Sequence, residues 1–361
     1  MTDFQIHLEM PFTDEIIAWY NQNKRDLPWR NINNPYFIWI SEVILQQTRV
    51  EQGRSYFHKF TEAYPTIAEM AAAHEDEILK KWQGLGYYSR ARNMHFAAKT
   101  VVNEYNGIFP NDYNEIIKLK GVGGYTAAAI ASFAFNAAQP VVDGNVYRLL
   151  SRYFGITTPI DSNEGKKQFL ALAEDLIDKQ NPGLFNQAIM EFGALQCKPG
   201  LPDCSVCPLV QSCEAYNKGL IAQLPIKSKK IKPRDRFFNY LFITYKDTVY
   251  IHRREGKDIW TGLYDFPLIE TDKAIAFEEL AVNDTMKTIL DKGFNSIDLW
   301  AKEYKHQLTH QTIYAKFYTV NINIPLNADS NNYIAVNNAD LHGYGIPRLI
   351  DLFLKDIGLL K

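Results

Sequence analysis

Two carboxyl groups, a glycine turn and four thiols are the side chains of this chain whose types and spacing could do chemistry. Glu42 lies in ISEVILQQT and Asp143 in VVDGNVYRLL, each beside apolar residues and near an expected helix start. Walled by Ile40, Val43 and Ile44, the Glu42 carboxyl is expected to be pushed toward its neutral acid, because desolvation disfavours the charge. Asp143, with Gly144 and Asn145 opening a helix, is expected to stay a carboxylate, held by backbone N–H groups and the helix dipole. An acid and a carboxylate tuned apart can break a glycosidic bond, one protonating the leaving group and the other facing an oxocarbenium-like sugar. Read alone, Asp143 serves equally as a helix cap and Glu42 as a surface acid.

In KLKGVGGYTAAAIASFAF (Lys118 to Phe135), Gly121, Gly123 and Gly124 permit a tight turn between two helices. The second helix then opens with free backbone N–H groups, which suit a phosphate; a plain helix–helix turn carries the same signature. All four cysteines of the chain fall in Cys197-x6-Cys204-x2-Cys207-x5-Cys213. Four thiolates at this spacing can surround one zinc or one iron–sulfur cube, and spacing alone does not separate the two. A disulfide framework has little use in a chain this long in a reducing compartment.

The elements that must position these groups differ between the two halves. Apolar residues recur at helical spacing through PYFIWISEVILQQTRVEQGRSYFHKF, TIAEMAAAHEDEILKKW, ARNMHFAAKTVVNEY, TAAAIASFAF, GNVYRLLSRYF, KKQFLALAEDLID and FNQAIMEFGAL. From Phe237 onward β-branched and aromatic residues take over. FFNYLFITY and TVYIHRR flank Lys246-Asp247 as a hairpin would, a helix is expected near Phe277 to Lys292, and SIDLWAKEYKHQ and TIYAKFYTVNI bracket Leu308 to Gln311. A last helix is expected at the C-terminus. The fold class is therefore an all-α domain followed by an α+β domain.

With 361 residues and 46% hydrophobic side chains, two cores can be buried. No apolar run approaches a membrane span. MTDFQIHLEM has no basic region followed by an apolar stretch, so a cytoplasmic protein is expected. The net charge of −2 hides an uneven distribution: residues 1–216 carry 19 basic and 24 acidic side chains, 218–236 carry 7 and 1, and 237–361 carry 13 and 16. The middle run, KSKKIKPRDR with Pro225 and Pro233, reads as an extended basic linker, either a solvated tether or a DNA contact.

LPWR (Leu27 to Arg30), SEVILQQTRV (Ser41 to Val50), GLGYYSRARN (Gly84 to Asn93), KGVGGYTAAAI, VDGNVYR and the cysteine array stand in the order of the MutY adenine DNA glycosylases, which the chain resembles over nearly all of residues 10–216 and more weakly to its end. The resemblance implies a helix-hairpin-helix glycosylase domain over 1–216 whose loop 197–213 carries a [4Fe–4S] cluster on Cys197, Cys204, Cys207 and Cys213. A basic linker follows over 217–236, and a MutT/Nudix-like lesion-recognition domain over 237–361. It assigns Glu42 as the general acid that protonates the departing adenine and Asp143 as the carboxylate stabilising the sugar cation, with Tyr125 and Asn145 beside it. Bifunctional members of the superfamily carry a Lys where this chain has Tyr125, which cannot form a Schiff base; a monofunctional enzyme is expected.

Gln47 and Tyr87 match residues that push into the duplex as adenine leaves the stack, and Thr48, Gly121 and Gly123 are placed with them at the DNA. Trp29, Arg30 and Gln187 match adenine-pocket positions. In the second domain IWTGLYDFP (Ile259 to Pro267) carries the resemblance, and Leu308-Thr309-His310 stands where the family usually has Phe-Ser-His, keeping a hydroxyl and the imidazole for 8-oxoguanine while losing the aromatic. Only Glu278-Glu279 remotely offers the glutamate helix a Nudix hydrolase needs, so no pyrophosphatase activity is expected. The implied partners are double-stranded DNA holding adenine opposite 8-oxoguanine or guanine, with a repair clamp or an abasic-site endonuclease as protein partners of a nucleoid-associated monomer. A lyase acting through Lys120 and a lesion-binding protein without catalysis are the competing readings.

Overall fold

The computed structural model describes residues 11–228, 233–290, 293–326 and 332–360. The chain forms two compact units: Met1–Ala72 with Phe96–Lys230, and Ala73–His95 with Ile231–Lys361. The second unit thus takes in a stretch from the helical half, and the boundary falls inside the helix Ser89–Glu104.

The first unit is helical among its described residues, as its periodicity implies. PYFIWISEVILQQTRVEQ does not run as one helix. Asn34 caps Pro35–Leu45 by accepting from Tyr36 N and Phe37 N, Pro35 supplies a preset φ at the first position, and the chain breaks at Gln46 before Val50–Ala63 begins. Tyr36 and every residue from Ile38 to Ile44 are buried, so the helix Pro35–Leu45 is enclosed on all sides and a polar residue in it must face an internal space. One core gathers Phe12, Ile16, Val146, Leu150, Phe169 and Phe192 from four helices. Gly193 lets Pro182–Leu195 lie against the first turn of Gly144–Tyr153: a Cβ there would come within 2.8 Å of the Asn145 carbonyl oxygen.

The second unit is built on a mixed sheet of β1 (Arg234–Tyr245), β2 (Thr248–Arg253), β3 (Tyr264–Asp265), β4 (Leu268–Thr271), β5 (Ser296–Leu299), β6 (Tyr304–Gln307), β7 (Gln311–Asn321) and β8 (Tyr333–Asn337). The path runs β3-β2-β1-β7-β5, with β4 on β1, β6 on β7 and β8 on β2. β1 and β7 pair in parallel from Arg234↔Gln311 to Thr244↔Asn321. Alternation splits β1 between two cores: Phe238, Tyr240 and Phe242 meet the C-terminal helix Arg348–Asp356, while Leu241 and Ile243 meet the short helices Phe277–Ala281 and Asp284–Ile289. The one helix expected near Phe277 to Lys292 is therefore two, separated at Val282 and capped again by Asn283, with 291–292 outside the described residues.

The end of the basic run is strand rather than linker. Arg234 and Arg236 open β1, and Arg236, only 8% exposed, pairs with Asp258 at 2.8 Å and Glu270 at 2.6 Å. Its start is tied down as well, Ser228 N and Oγ both donating to Asp161 at 2.9 Å; residues 229–232 lie outside the described ones. Among the described residues no helix is long and apolar enough to cross a membrane.

Candidate active site

The helices Pro35–Leu45, Gly124–Phe135, Gly144–Tyr153 and Pro182–Leu195 wall a cavity of about 400 Å³ in the first unit. Glu42, Tyr125, Asp143 and Asn145 all line it, and Trp29, Arg30, Gln47, Thr48 and Gln187 join them. Gly121 and Gly123 are not on its wall; they make the turn into Gly124–Phe135, Gly121 at φ 80° and Gly123 as the cap residue.

Glu42 is 6% exposed and lies in the second half of its helix, not near the start. Its cavity neighbours are Ile38 and Leu45, one turn away along the helix, whereas Ile40, Val43 and Ile44 turn into the surrounding core. Burial, reinforced by the nearby Asp143 charge, raises its pKa from 4.5 to about 7 against a hydrogen bond from the Tyr125 hydroxyl. Tyr125 is itself pushed up by burial and by both carboxylates, so it stays a neutral donor, and its hydroxyl also reaches the Met190 sulfur at 3.9 Å.

Asp143 caps Gly144–Tyr153. Its Oδ1 accepts from Asn145 N at 2.9 Å and Val146 N at 2.8 Å, and its Oδ2 accepts from Asn145 Nδ2 at 2.7 Å. Even so its pKa lies above the ordinary value, because burial outweighs those hydrogen bonds and the pull of Arg148. The expected opposite tuning of Glu42 and Asp143 is thus not found; both shift upward on one cavity wall. Arg148 steadies the arrangement, donating to Asn145 Oδ1 at 2.9 Å, Gly193 O at 2.6 Å and Cys197 O at 2.8 Å.

The carboxylate tuned the other way is Glu191, which the sequence reading missed. It is 1% exposed, bound by Arg25 at 2.6 Å and Arg30 at 2.7 Å, and these hydrogen bonds overcome burial to hold its pKa down at about 2. Its signal in EFGAL is one charge in an apolar helix, which pairs with LPWR only across 161 residues. Gln187 accepts from Tyr20 at 2.9 Å, and Trp29 packs edge-on to Phe57. Gln47 is exposed at the rim with φ 58°, a left-handed backbone that a non-glycine residue adopts at a cost.

Tyr87, Leu308, Thr309 and His310 lie in the second unit, where the tip between β6 and β7 meets the turn Gly84–Tyr87. The Tyr87 and Thr309 hydroxyls share a hydrogen bond of 2.5 Å. Tyr87 is 48% exposed with φ 47°, after Gly84 at 103° and Gly86 at 69°. Arg90 stands over both the Trp82 and Tyr87 rings, 5.0 and 5.7 Å from their centroids. Leu308 packs on the core, while Thr309 and His310 are exposed.

The four cysteines are free thiols bordering one small cavity in the first unit, with Arg152 donating to Cys197 Sγ at 3.5 Å. As placed, no group of three or more His, Cys, Asp or Glu side chains among the described residues is positioned to hold a metal ion. Four sulfur donors bordering one apolar cavity, with a guanidinium against one of them, are the donor chemistry of a thiolate-bound centre.

Residues 40–177 match the HhH-GPD superfamily of base excision DNA repair proteins, and residues 239–356 match the NUDIX domain. An adenine DNA glycosylase of Buchnera aphidicola subsp. Baizongia pistaciae is 36% identical over 352 residues, 96% of each chain. The chain belongs to the adenine DNA glycosylase family. The human adenine DNA glycosylase is 43% identical over 216 residues, 57% of this chain and 40% of the human one. In structure, a thermostable thymine-DNA glycosylase matches with a TM-score of 0.54 at 33% identity, covering 57% of this chain and 95% of that one. An endonuclease III trapped as a covalent DNA intermediate matches at 0.51 and 26%, covering 58% and 95%. Family membership makes this a DNA glycosylase of base excision repair with a helix-hairpin-helix domain and a Nudix domain.

Proposed function

We propose that this enzyme is a monofunctional glycosylase that hydrolyses the N-glycosidic bond of adenine mispaired with 8-oxoguanine or guanine in duplex DNA. The observation that carries the reading is Glu42, an acid raised to about 7 by burial, on the same cavity wall as an Asp143 fixed by three hydrogen bonds. At neutral pH a large share of Glu42 holds a proton for a ring nitrogen of the leaving base. Asp143 then faces the oxocarbenium-like sugar, Asn145 fixes its Oδ2, and Tyr125 keeps the pair dry. Arg30 and Glu191, bonded to each other at 2.9 and 2.7 Å, hold this part of the cavity wall rigid around the base.

Tyr125 supports hydrolysis without strand cleavage, since no lysine lines the cavity among the described residues and Lys120 is exposed away from it. Gln47 and Thr48 at the rim, Gly121 and Gly123 at a phosphate, and Tyr87 as a wedge form the DNA contacts in this reading, with Thr309 and His310 reading the lesion. Cys197, Cys204, Cys207 and Cys213 hold a [4Fe–4S] cluster, which when bound braces the loop 197–213. The enzyme acts as a monomer at the nucleoid, with a clamp or abasic-site endonuclease as its protein partner.

The test is a single-turnover assay on a labelled duplex with adenine opposite 8-oxoguanine, each sample divided between alkali and no alkali. Breaks that need alkali and vanish in Glu42→Gln are expected. Breaks without alkali would support a lyase, and tight binding with no base loss a non-catalytic protein. Iron and acid-labile sulfide in the purified protein check the cluster; zinc with neither would refute it.

A further inference from the structure

The second unit contains a cavity of about 340 Å³ that takes no part in the reading above, and its size falls within the range of small-ligand sites, about 300–1,000 Å³. It opens on the face of β1 and β7 that Phe277–Ala281 and Asp284–Ile289 cover further along. Where that cover stops, Phe237 and Tyr314, partners in the β1–β7 register, stand half-buried with their rings stacked at 5.3 Å and 14°. Lys305 lies 5.3 Å over the Tyr314 ring and is exposed at the opening. Two residues along β1 from Phe237, Asn239 lines the same cavity and is 3% exposed.

The orientation of the Asn239 amide is fixed. Its Nδ2 donates to the Ile269 carbonyl at 3.1 Å and to Thr271 Oγ1 at 3.4 Å, and a carbonyl can only accept. Its Oδ1 is therefore turned away from β4; it accepts no hydrogen bond from any described residue and is not among the sealed polar atoms. A fold that wanted only packing here could use an aliphatic side chain, as it does at Leu241 and Ile243 on the same face. That oxygen opens on the cavity, where it is free to accept from a ligand's donor.

We propose that this cavity binds an amino-substituted purine nucleotide. The base packs against the Phe237 side of the Phe237–Tyr314 stack, whose Tyr314 side Lys305 already covers, the Asn239 carbonyl oxygen accepts from its exocyclic amine, and Lys305 meets the phosphate. No bond is made or broken, and the site is separate from the Glu42 cavity, which belongs to the other unit.

The experiment photolabels the full-length protein with 8-azidoadenosine monophosphate and maps the modified peptides by mass spectrometry, with AMP, adenosine and ribose 5-phosphate as competitors. Label is expected on peptides containing Arg234–Tyr245 or Gln311–Asn321, displaced by AMP and adenosine but not by ribose 5-phosphate. Lys305→Glu, at an exposed position, should raise the AMP concentration needed for displacement about tenfold, the scale of one charged contact, and leave that of adenosine unchanged. Asn239→Leu should abolish labelling there while the glycosylase rate persists, and Tyr314→Leu gives a second route to the same loss if Asn239→Leu does not fold. Label found only on peptides of the Glu42 cavity, no label at all, or displacement by ribose 5-phosphate alone would overturn the proposal.

Discussion

In the helical unit Glu42 is 6% exposed and Glu191 1%, both held by fixed neighbours, whereas in the second unit Tyr87 is 48% exposed and meets Thr309 at a hairpin tip. The difference fits what each region does in the proposed function. Protonating a leaving group requires a carboxyl whose charge is penalised, and burial supplies the largest part of that penalty. Reading a base in DNA requires donors and acceptors that reach solvent before the duplex arrives, and such groups cannot be desolvated in advance. Rigidity therefore belongs to the cavity and exposure to the tip.

The largest effect expected from this contrast is at Glu42. Glu42→Gln keeps the shape and removes the proton donor, so the single-turnover rate should fall about 10²–10⁴-fold, with circular dichroism and DNA binding retained. A loss of only a few-fold would mean that burial of this carboxyl serves packing, and the contrast would collapse. Next is Glu191→Gln, which leaves two guanidiniums facing each other without their anion. Breaking a buried pair of this kind costs about 3–5 kcal/mol, readable as a lower denaturant midpoint at unchanged slope.

The same two carboxyls give opposite pH dependences. Glu42 has a folded pKa raised from 4.5 to about 7, so its contribution to stability is complete below 4.5 and is lost as pH rises to about 7. The protonated acid is half lost at about pH 7 and falls away above it, so the rate should fall by about tenfold per pH unit above about 7. Glu191 has a folded pKa lowered to about 2, so its contribution is present above 4.5 and is lost as pH falls toward 2. Glu42→Gln should flatten the first dependence and Glu191→Gln the second; a rate profile that stays level from pH 6 to 9 in the parent would remove Glu42 as the acid.

Much of this was legible in the chain before any coordinates. Asp143-Gly-Asn reads as a helix cap and is one, and the β1–β2 hairpin forms around Lys246 at φ 52°. What escaped were features that depend on distant residues. Glu191 needs Arg25 and Arg30, the stretch 73–95 joins the sheet unit through pairs such as Arg253 with Glu75 at 3.0 Å, and Arg236 leaves the linker because Glu270 awaits it. The upward shift of Asp143 escaped too, since hydrogen bonds are local and burial is not. Nor does sequence disclose that Gln47 and Tyr87 take left-handed backbone, because neither is glycine.

The smallest effect is the most informative about the exposed side of the contrast. Thr309 has one hydroxyl, and in the free protein Tyr87 occupies it at 2.5 Å. Where the Thr309 hydroxyl is the donor to Tyr87, bonding 8-oxoguanine through the same hydrogen exchanges one partner for another, and its net contribution is then a difference between two hydrogen bonds. Thr309→Ala should reduce discrimination between 8-oxoguanine and guanine opposite adenine by about 1 kcal/mol, roughly fivefold. Tyr87→Phe keeps the ring and releases the Thr309 hydroxyl, so discrimination should hold or improve. In the double variant the Tyr87→Phe benefit should disappear, because no hydroxyl remains to be freed. If the two substitutions instead acted additively, the bond in the free protein would be incidental to lesion reading. Unchanged discrimination in Thr309→Ala would remove this residue from the tip's function altogether.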